Sequence, residues 1–326
     1  MEEIQDILNQ YNIKKFKLEK IKKGHTQNEI YEILNEENSK KYILKCYFNM
    51  SCERLNYLNN LQKKLEVGPR IINTLNEENY LIKENKKYIL YDFIEGRQLN
   101  KNEINKDYAG KMGMFIGKLH NDMEKIKLQS NQNALLNIES PNIEKMNQLL
   151  ITTQSEELRT LLIEKIEILK KINFNQIYNY MNKNNRELVH GDIYLDNLLF
   201  TNDFIRIIDF DQAGLFYQEY EMARAMFMIC FNEKDTTEKN LEKMQEFLRK
   251  YCIEKPSISI TNAINLYVYS NANSLYCYSD WDIESQEMKK HATFKNKLLK
   301  WIIQNNSKII IRNDINELYR WNKIKN

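Results

Sequence analysis

Apolar positions follow two regimes along the chain. Up to Ile94 they alternate or sit in short runs, and from Asn105 onward they recur at helical spacing. Residues 2–10 read as a short helix with Ile4, Ile7 and Leu8 on one side. Phe16–Ile21 and Glu29–Leu34 read as strands joined through Gly24-His25-Thr26-Gln27-Asn28, which predicts a hairpin. Lys41–Phe48 (KYILKCYF) is a third strand. A helix starts at Ser51 as N-cap, carries Leu55, Leu58, Leu61 and Leu65 inward, and stops at Val67-Gly68-Pro69. Ile71–Leu75, Tyr80–Lys83 and Tyr88–Ile94 read as further strands, the last ending in a connector at Glu95-Gly96.

The remainder reads as helical. Met112, Phe115, Ile116 and Leu119 define a helix over Tyr108–His120, and residues 121–150 read as polar and irregular, with a break at Pro141. Helices are predicted at 155–172, 174–184, Tyr220–Phe231, 236–252, 261–280 and 285–304. One stretch among them is different. Leu188–Gly214 alternates polar clusters with the apolar runs Leu198–Phe200 and Ile205–Ile208, which predicts two short strands. A β-rich block over 1–95 and a mainly helical block over 96–326 make the chain an α+β protein of two domains.

Composition narrows the partners. The 326 residues carry a formal net charge of +3, with 29% charged residues, so no dominant basic field exists for a nucleic acid. Lysine pairs such as Lys14-Lys15 and Lys22-Lys23 read as solvated faces. The five cysteines are scattered, odd in number and free of any CxxC pair, which points to a reduced, cytoplasmic setting. The amphipathic start MEEIQDILNQ is no signal peptide, and no apolar run is long enough to span a bilayer. Oligomeric state is open.

The chemistry concentrates in Leu188–Gly214. It holds His190-Gly191-Asp192, then Asn197, then Asp209 in Ile207-Ile208-Asp209-Phe210-Asp211. Phosphoryl transfer from a nucleotide needs such a set: a carboxylate facing the acceptor hydroxyl, and an amide oxygen with a second carboxylate for magnesium. Upstream, Lys45 sits inside an apolar strand, where an ammonium is costly without a partner. It reads either as an edge-strand lysine reaching water or as a ligand for nucleotide phosphates. In the second case a glutamate would orient it, and Glu53 in the next helix is the best-placed candidate; a first-turn glutamate favouring the helix dipole fits as well. The tip near Asn28 can lay backbone N–H groups over phosphates, although a plain hairpin turn looks the same.

Taken in order, these elements resemble the aminoglycoside phosphotransferase and choline kinase family, the small-molecule branch of the protein-kinase-like fold. The matching residues are Lys45, the connector before Glu95-Gly96, a helix ending Lys118-Leu119-His120, HGDIYLDN and IIDFD. Protein kinases carry HRD and DFG where this chain has His190-Gly191-Asp192 and Asp209-Phe210-Asp211. The resemblance implies a two-lobed fold with a β-rich N-lobe and a mainly helical C-lobe. It also implies roles: Asp192 takes or orients the acceptor hydroxyl proton, and Asn197 and Asp209 hold Mg2+. Lys45 contacts the phosphates of ATP or GTP, with Glu53 and Asn28 beside it, and main-chain groups from Asp92 to Ile94 bind the base. His190 supports the loop, Asp196 and Asp211 are supporting or solvated groups, although Asp211 could touch metal, and Glu221 braces the catalytic loop. His120 reads as packed rather than ligating.

The acceptor would be a small molecule bound among the C-terminal helices. Tyr267, Tyr269, Tyr276, Tyr278 and Trp281, with Asp280, Asp282 and Glu284, suit a cationic amine, amino sugar or amino-alcohol; the same tyrosines also fit an ordinary packing face. The contrasting function is a catalytically silent binding or structural protein of the same fold, as in spore-coat relatives. Intact Lys45, Asp192, Asn197 and Asp209 favour catalysis.

Overall fold

The computed structural model describes residues 2–21, 28–127, 132–136, 138–201 and 204–310. In chain order they form α1 (Glu2–Asn9), β1 (Phe16–Ile21), β2 (Glu29–Asn35), β3 (Lys41–Tyr47), α2 (Cys52–Lys63), β4 (Ile71–Ile72), β5 (Leu81–Lys83), β6 (Lys86–Asp92), α3 (Lys106–Lys125), α4 (Ile143–Thr152), α5 (Glu156–Lys171), α6 (Phe174–Lys183), β7 (Glu187–Val189), β8 (Leu198–Phe200), β9 (Ile205–Ile207), β10 (Gly214–Phe216), α7 (Gln218–Cys230), α8 (Thr237–Glu254), α9 (Ile260–Asn273) and α10 (Gln286–Ile309). The fold is α+β. Lys22–Gln27, including most of the hairpin turn, lie outside the described residues.

Two compact units emerge. The first comprises Met1–Leu99, Lys125–Gln132 and Asp196–Ala213; the second comprises Asn100–Glu124, Asn133–Leu195 and Gly214–Asn326.

The first unit is built on an antiparallel sheet of order β1-β2-β3-β6-β4, with β5 also paired to β6. Strand alternation sorts β3 cleanly. Leu44 and Cys46 join Ile4, Ile7, Leu8 and Ile33 in a core under α1. Tyr47 joins Leu55, Ile89 and Tyr91 in a core on α2. Ser51 caps α2, its Oγ accepting the Arg54 N–H at 3.1 Å. The hairpin β8–β9 belongs to this unit. It is tied on by a bridge between Arg97 and Phe200 and by the Ile207 N–H donating to the Val67 carbonyl at 3.2 Å.

The second unit is helical, with β7 and β10 as an antiparallel pair at the start of the His190 loop. Its α7 is almost wholly buried and packs on α8 and α9. The irregular reading of 121–150 needs correcting. Helix α3 runs on to Lys125, and α4 begins at Ile143, so Pro141 precedes a helix instead of interrupting a loop. The strand expected over Ile71–Leu75 shortens to Ile71–Ile72. There the Thr74 N–H and Oγ1 both bond to Glu78 backbone groups, closing a turn through Glu77 at φ 60°.

Candidate active site

Lys45 is in a central strand, not an edge. Its β3 neighbours are Ile30 on β2 and Ile89 on β6. The side chain is buried, so the edge-strand reading does not apply and the ammonium must find its partners inside. It finds two: Nζ lies 2.8 Å from Asp209 Oδ1 and 2.8 Å from Asp211 Oδ2. Burial works against the charged lysine, but the carboxylates of Asp211 and Asp209 outweigh it and hold its pKa above the ordinary value.

Both aspartates are placed by the β8–β9 hairpin. Leu198 pairs with Ile207, and the next N–H, of Ile208, donates to the Asn197 carbonyl at 2.9 Å. Asn197 and Asp209 therefore flank the open end of one hairpin. Asp209 adopts the left-handed region at φ 68°, ψ 68°, which a short polar side chain tolerates better than most. That turn carries Asp211 back to Lys45. Asp211 is further held by the Tyr47 hydroxyl at 3.1 Å and by Asn28 Nδ2 at 3.2 Å. Burial first, and the neighbouring Asp209, push its pKa up against the pull of Lys45.

The expected pairing of Glu53 with Lys45 is absent. Glu53 is exposed and accepts from Gln132 Nε2 at 3.1 Å. The charged residue that reaches the cluster from that helical turn is the half-buried Arg54, whose Nη2 donates to the carbonyls of Asp211 at 3.0 Å and Ala213 at 2.6 Å. Helix α2 thus grips the aspartate turn by its backbone, while Asp211 takes the lysine. The sequence signal for Asp211 was its position two residues after Asp209; nothing in the sequence marks Tyr47.

A cavity of about 410 Å³ opens beside this cluster in the first unit, with Lys45, Asp209 and Asp211 in its lining. Its apolar walls include Ile21, Ile30, Ile43, Phe93, Ile94 and Leu199. Asp92, expected to contribute to base binding through its main chain, lines the cavity, and its side chain is held by Arg70. Its carboxylate takes the Arg70 N–H and the Arg70 Nε, and its own N–H donates to the Arg70 carbonyl at 2.9 Å. It anchors the connector, and Phe93 and Ile94 reach the cavity.

In the second unit, β7 delivers His190-Gly191-Asp192. Gly191 sits at φ 82°, a region open to glycine at no steric cost. Glu221, buried on α7, accepts the His190 N–H at 3.0 Å, the Gly191 N–H, and His120 Nε2 at 3.0 Å. His120 Nδ1 lies 2.7 Å from the Tyr251 hydroxyl, so this histidine is a packed link in a buried chain. Burial works to raise the Glu221 pKa, but the His120 bond and nearby N–H groups hold it below the ordinary value. Asp192 donates its N–H to His190 Nδ1 at 3.3 Å, and its Oδ1 accepts from Arg224 Nη2 at 3.1 Å.

These features are a lysine bridging two aspartates beside an apolar cavity, and an HGD loop held by a buried glutamate. The family model described as a phosphotransferase enzyme family matches residues 24–251. The chain belongs to the phosphotransferase enzyme family. No curated protein sequence matches it. Among solved structures, a microcompartment-associated aminopropanol kinase is similar at TM-score 0.66 and 14% identity, covering 95% of this chain and 99% of that one. An amicoumacin kinase in complex with AMP-PNP, Ca2+ and Ami is similar at TM-score 0.62 and 14% identity, over 86% and 87%. A choline kinase from Cryptosporidium parvum Iowa II gives 0.58 and 16%, over 90% and 91%. At these identities the likeness establishes the kinase-like fold.

The aromatic residues expected to form a cation site are mostly buried in this phosphotransferase. Tyr267, Tyr269, Tyr278 and Trp281 are at most 4% exposed. Two already carry the chain's own ammonium groups: Lys165 Nζ lies 4.4 Å from the Tyr278 ring centre and Lys289 Nζ lies 5.6 Å from that of Trp281. Tyr276 alone of the five is exposed, alongside Asp280 and Asp282. The packing reading accounts for most of this region.

The donor set suits a hard divalent cation. Asp209 and Asp211 are oxygen ligands that already share one cation, the Lys45 ammonium, and Asn197 adds an amide at the same hairpin end. Among the described residues no three His, Cys, Asp or Glu side chains cluster for a metal. Magnesium bound largely through nucleotide phosphates needs no such cage.

Proposed function

We propose that this enzyme transfers the γ-phosphoryl group of ATP or GTP to a hydroxyl of a small molecule carrying an amine. The observation that supports this best is Lys45 bridging Asp209 and Asp211 beside the cavity. In the reaction, the acceptor oxygen forms a bond to the γ-phosphorus and the bond to the bridging oxygen breaks. The nucleoside diphosphate leaves, and the acceptor's proton passes to Asp192. Asn197 and Asp209, with Asp211 beside them, would hold Mg2+, which supplies charge neutralisation of the phosphates when bound. Lys45 neutralises phosphate oxygens with Asn28 beside it, and main-chain groups from Asp92 to Ile94 meet the base.

The acceptor class draws on the similar structures. Choline and aminopropanol each join a hydroxyl to a cationic nitrogen. In this chain the exposed carboxylates of Asp280 and Asp282, with the exposed ring of Tyr276, are the groups of that cluster left to favour a cation, since the buried aromatic rings are spent on packing. The test is release of ADP or GDP over a panel of ethanolamine, choline, 1-amino-2-propanol and aminoglycosides. We expect acceptor-dependent release with at least one. Baseline release throughout, with no thermal stabilisation by MgATP or MgGTP, would instead indicate a silent binding protein.

A further inference from the structure

Arg224 lies on α7, one turn after Glu221, with a side chain 17% exposed. All three of its nitrogens are engaged on the same loop. Nη2 donates to Asp192 Oδ1 at 3.1 Å and to the Tyr194 hydroxyl at 2.8 Å. Nε donates to that hydroxyl at 3.0 Å, and Nη1 donates to the Gly191 carbonyl. The guanidinium also lies 4.6 Å from the Tyr194 ring centre. Glu221 takes the N–H groups of His190 and Gly191 from the same helix. One helix face therefore pins the loop twice: its carboxylate holds the backbone donors, and its guanidinium holds a backbone acceptor and the Asp192 side chain.

A rigid planar fork can reach three acceptors at once, which a lysine's single point charge cannot. The Glu221 contacts hold the loop by its backbone. The Arg224 contact holds the Asp192 side chain itself, and Tyr194 holds Arg224. We propose that Arg224, steadied by Tyr194, is a positioning residue for phosphotransfer that sets the orientation of the Asp192 carboxylate toward the acceptor hydroxyl. This rests on the reading of Asp192 as the acceptor-side base.

The test uses Arg224→Met, Arg224→Lys and Tyr194→Phe. Nucleoside diphosphate release is followed with ethanolamine present and with water alone, using whichever of MgATP and MgGTP stabilises the protein more. Nucleotide affinity is read separately with a fluorescent analogue. Misplacing a reacting group by about 1 Å costs on the order of 100-fold, so Arg224→Met should lower kcat about that much. Arg224→Lys should recover part of the loss, and Tyr194→Phe should lose about 5-fold as the fork loosens. Nucleotide Kd should stay within about twofold in all three, which a general loss of structure would not allow. The idea is overturned if Arg224→Met and Tyr194→Phe keep kcat within about threefold, or if Kd worsens in step with kcat. Should Arg224→Met fail to fold, Tyr194→Phe decides. Asp192→Asn run alongside separates the two readings. Full turnover in that variant sinks the base assignment, whereas a dead Asp192→Asn with an unaffected Arg224→Met sinks only the positioning role.

Discussion

Lys45 Nζ and Asp211 Oδ2 meet at 2.8 Å although 166 positions separate them in the chain. The contact changes what the lysine strand means. A buried ammonium in a central strand needs a carboxylate, and the neighbouring helix offers the half-buried Arg54, with Glu53 turned to solvent. The carboxylates come instead from the aspartate turn, and one of them is locked by Tyr47 and Asn28.

Glu53→Gln should therefore leave magnesium–nucleotide affinity within about twofold, because an exposed contact with Gln132 is worth little. Asp211→Asn should weaken it by roughly 10- to 150-fold, since a buried charge-assisted bond contributes roughly 1.5–3 kcal/mol. Titration with a fluorescent nucleotide checks both. Equal losses in the two variants would return the orienting role to the helix.

Asp209 has a backbone reason for its identity as well as a chemical one. At φ 68° an alanine is strained, by about 1–2 kcal/mol, whereas asparagine is at home. Asp209→Asn should thus lose magnesium dependence of nucleotide binding, and some melting temperature as the buried Lys45 loses a charged partner. Asp209→Ala should lose the same and melt lower still by the strain. Isothermal titration with and without Mg2+, beside a thermal melt, separates the two effects; an Asp209→Ala protein as stable as Asp209→Asn would argue against strain.

The sequence made local pattern visible and left long-range pairing hidden. KYILKCY alternates, so β3 and the oddity of Lys45 could be read directly, as could the Ser51 cap with its bond to Arg54. HGD, Asn197 and IIDFD could be read because glycine and short polar residues interrupt apolar runs. The partner of Lys45 could not, because Glu53 and Asp211 are equally plausible until the chain is folded. The aromatic cluster misled for a related reason. Spacing cannot tell a tyrosine that faces a ligand from one, such as Tyr278 in the turn after α9, whose ring is covered by Lys165 of α5. The pairing of β7 with β10 is likewise long-range, Gly214 meeting Val189, and local pattern does not show it.

Glu221 makes stability depend on pH with a definite sign. Its pKa lies below the ordinary 4.5, so its stabilisation is fully present above that value and is lost as pH falls through the folded pKa. Glu221→Gln should cost about 3–5 kcal/mol at neutral pH, the scale for breaking a buried pair. The gap to the unmodified protein should shrink in acid below about pH 4.5. Urea melts across that range test it, and a gap independent of pH would show that His120 and the loop N–H groups do not depend on the charge.

Asp192→Asn should separate binding from transfer. The substitution keeps an oxygen able to accept from Arg224 Nη2, so the loop and its hold on α7 persist. It removes the only basic group at that atom, and loss of a general base costs about 10³-fold. Nucleotide affinity should stay within about twofold, because the groups assigned to the phosphates are Lys45 and the Asp209 turn, in the other compact unit. Rapid-quench measurement of phosphoryl transfer, alongside a nucleotide titration, gives both numbers from one preparation. A variant that binds and transfers at the native rate would remove Asp192 from the chemistry. One that neither binds nor melts normally would mean that the loop, rather than the carboxylate, had been lost.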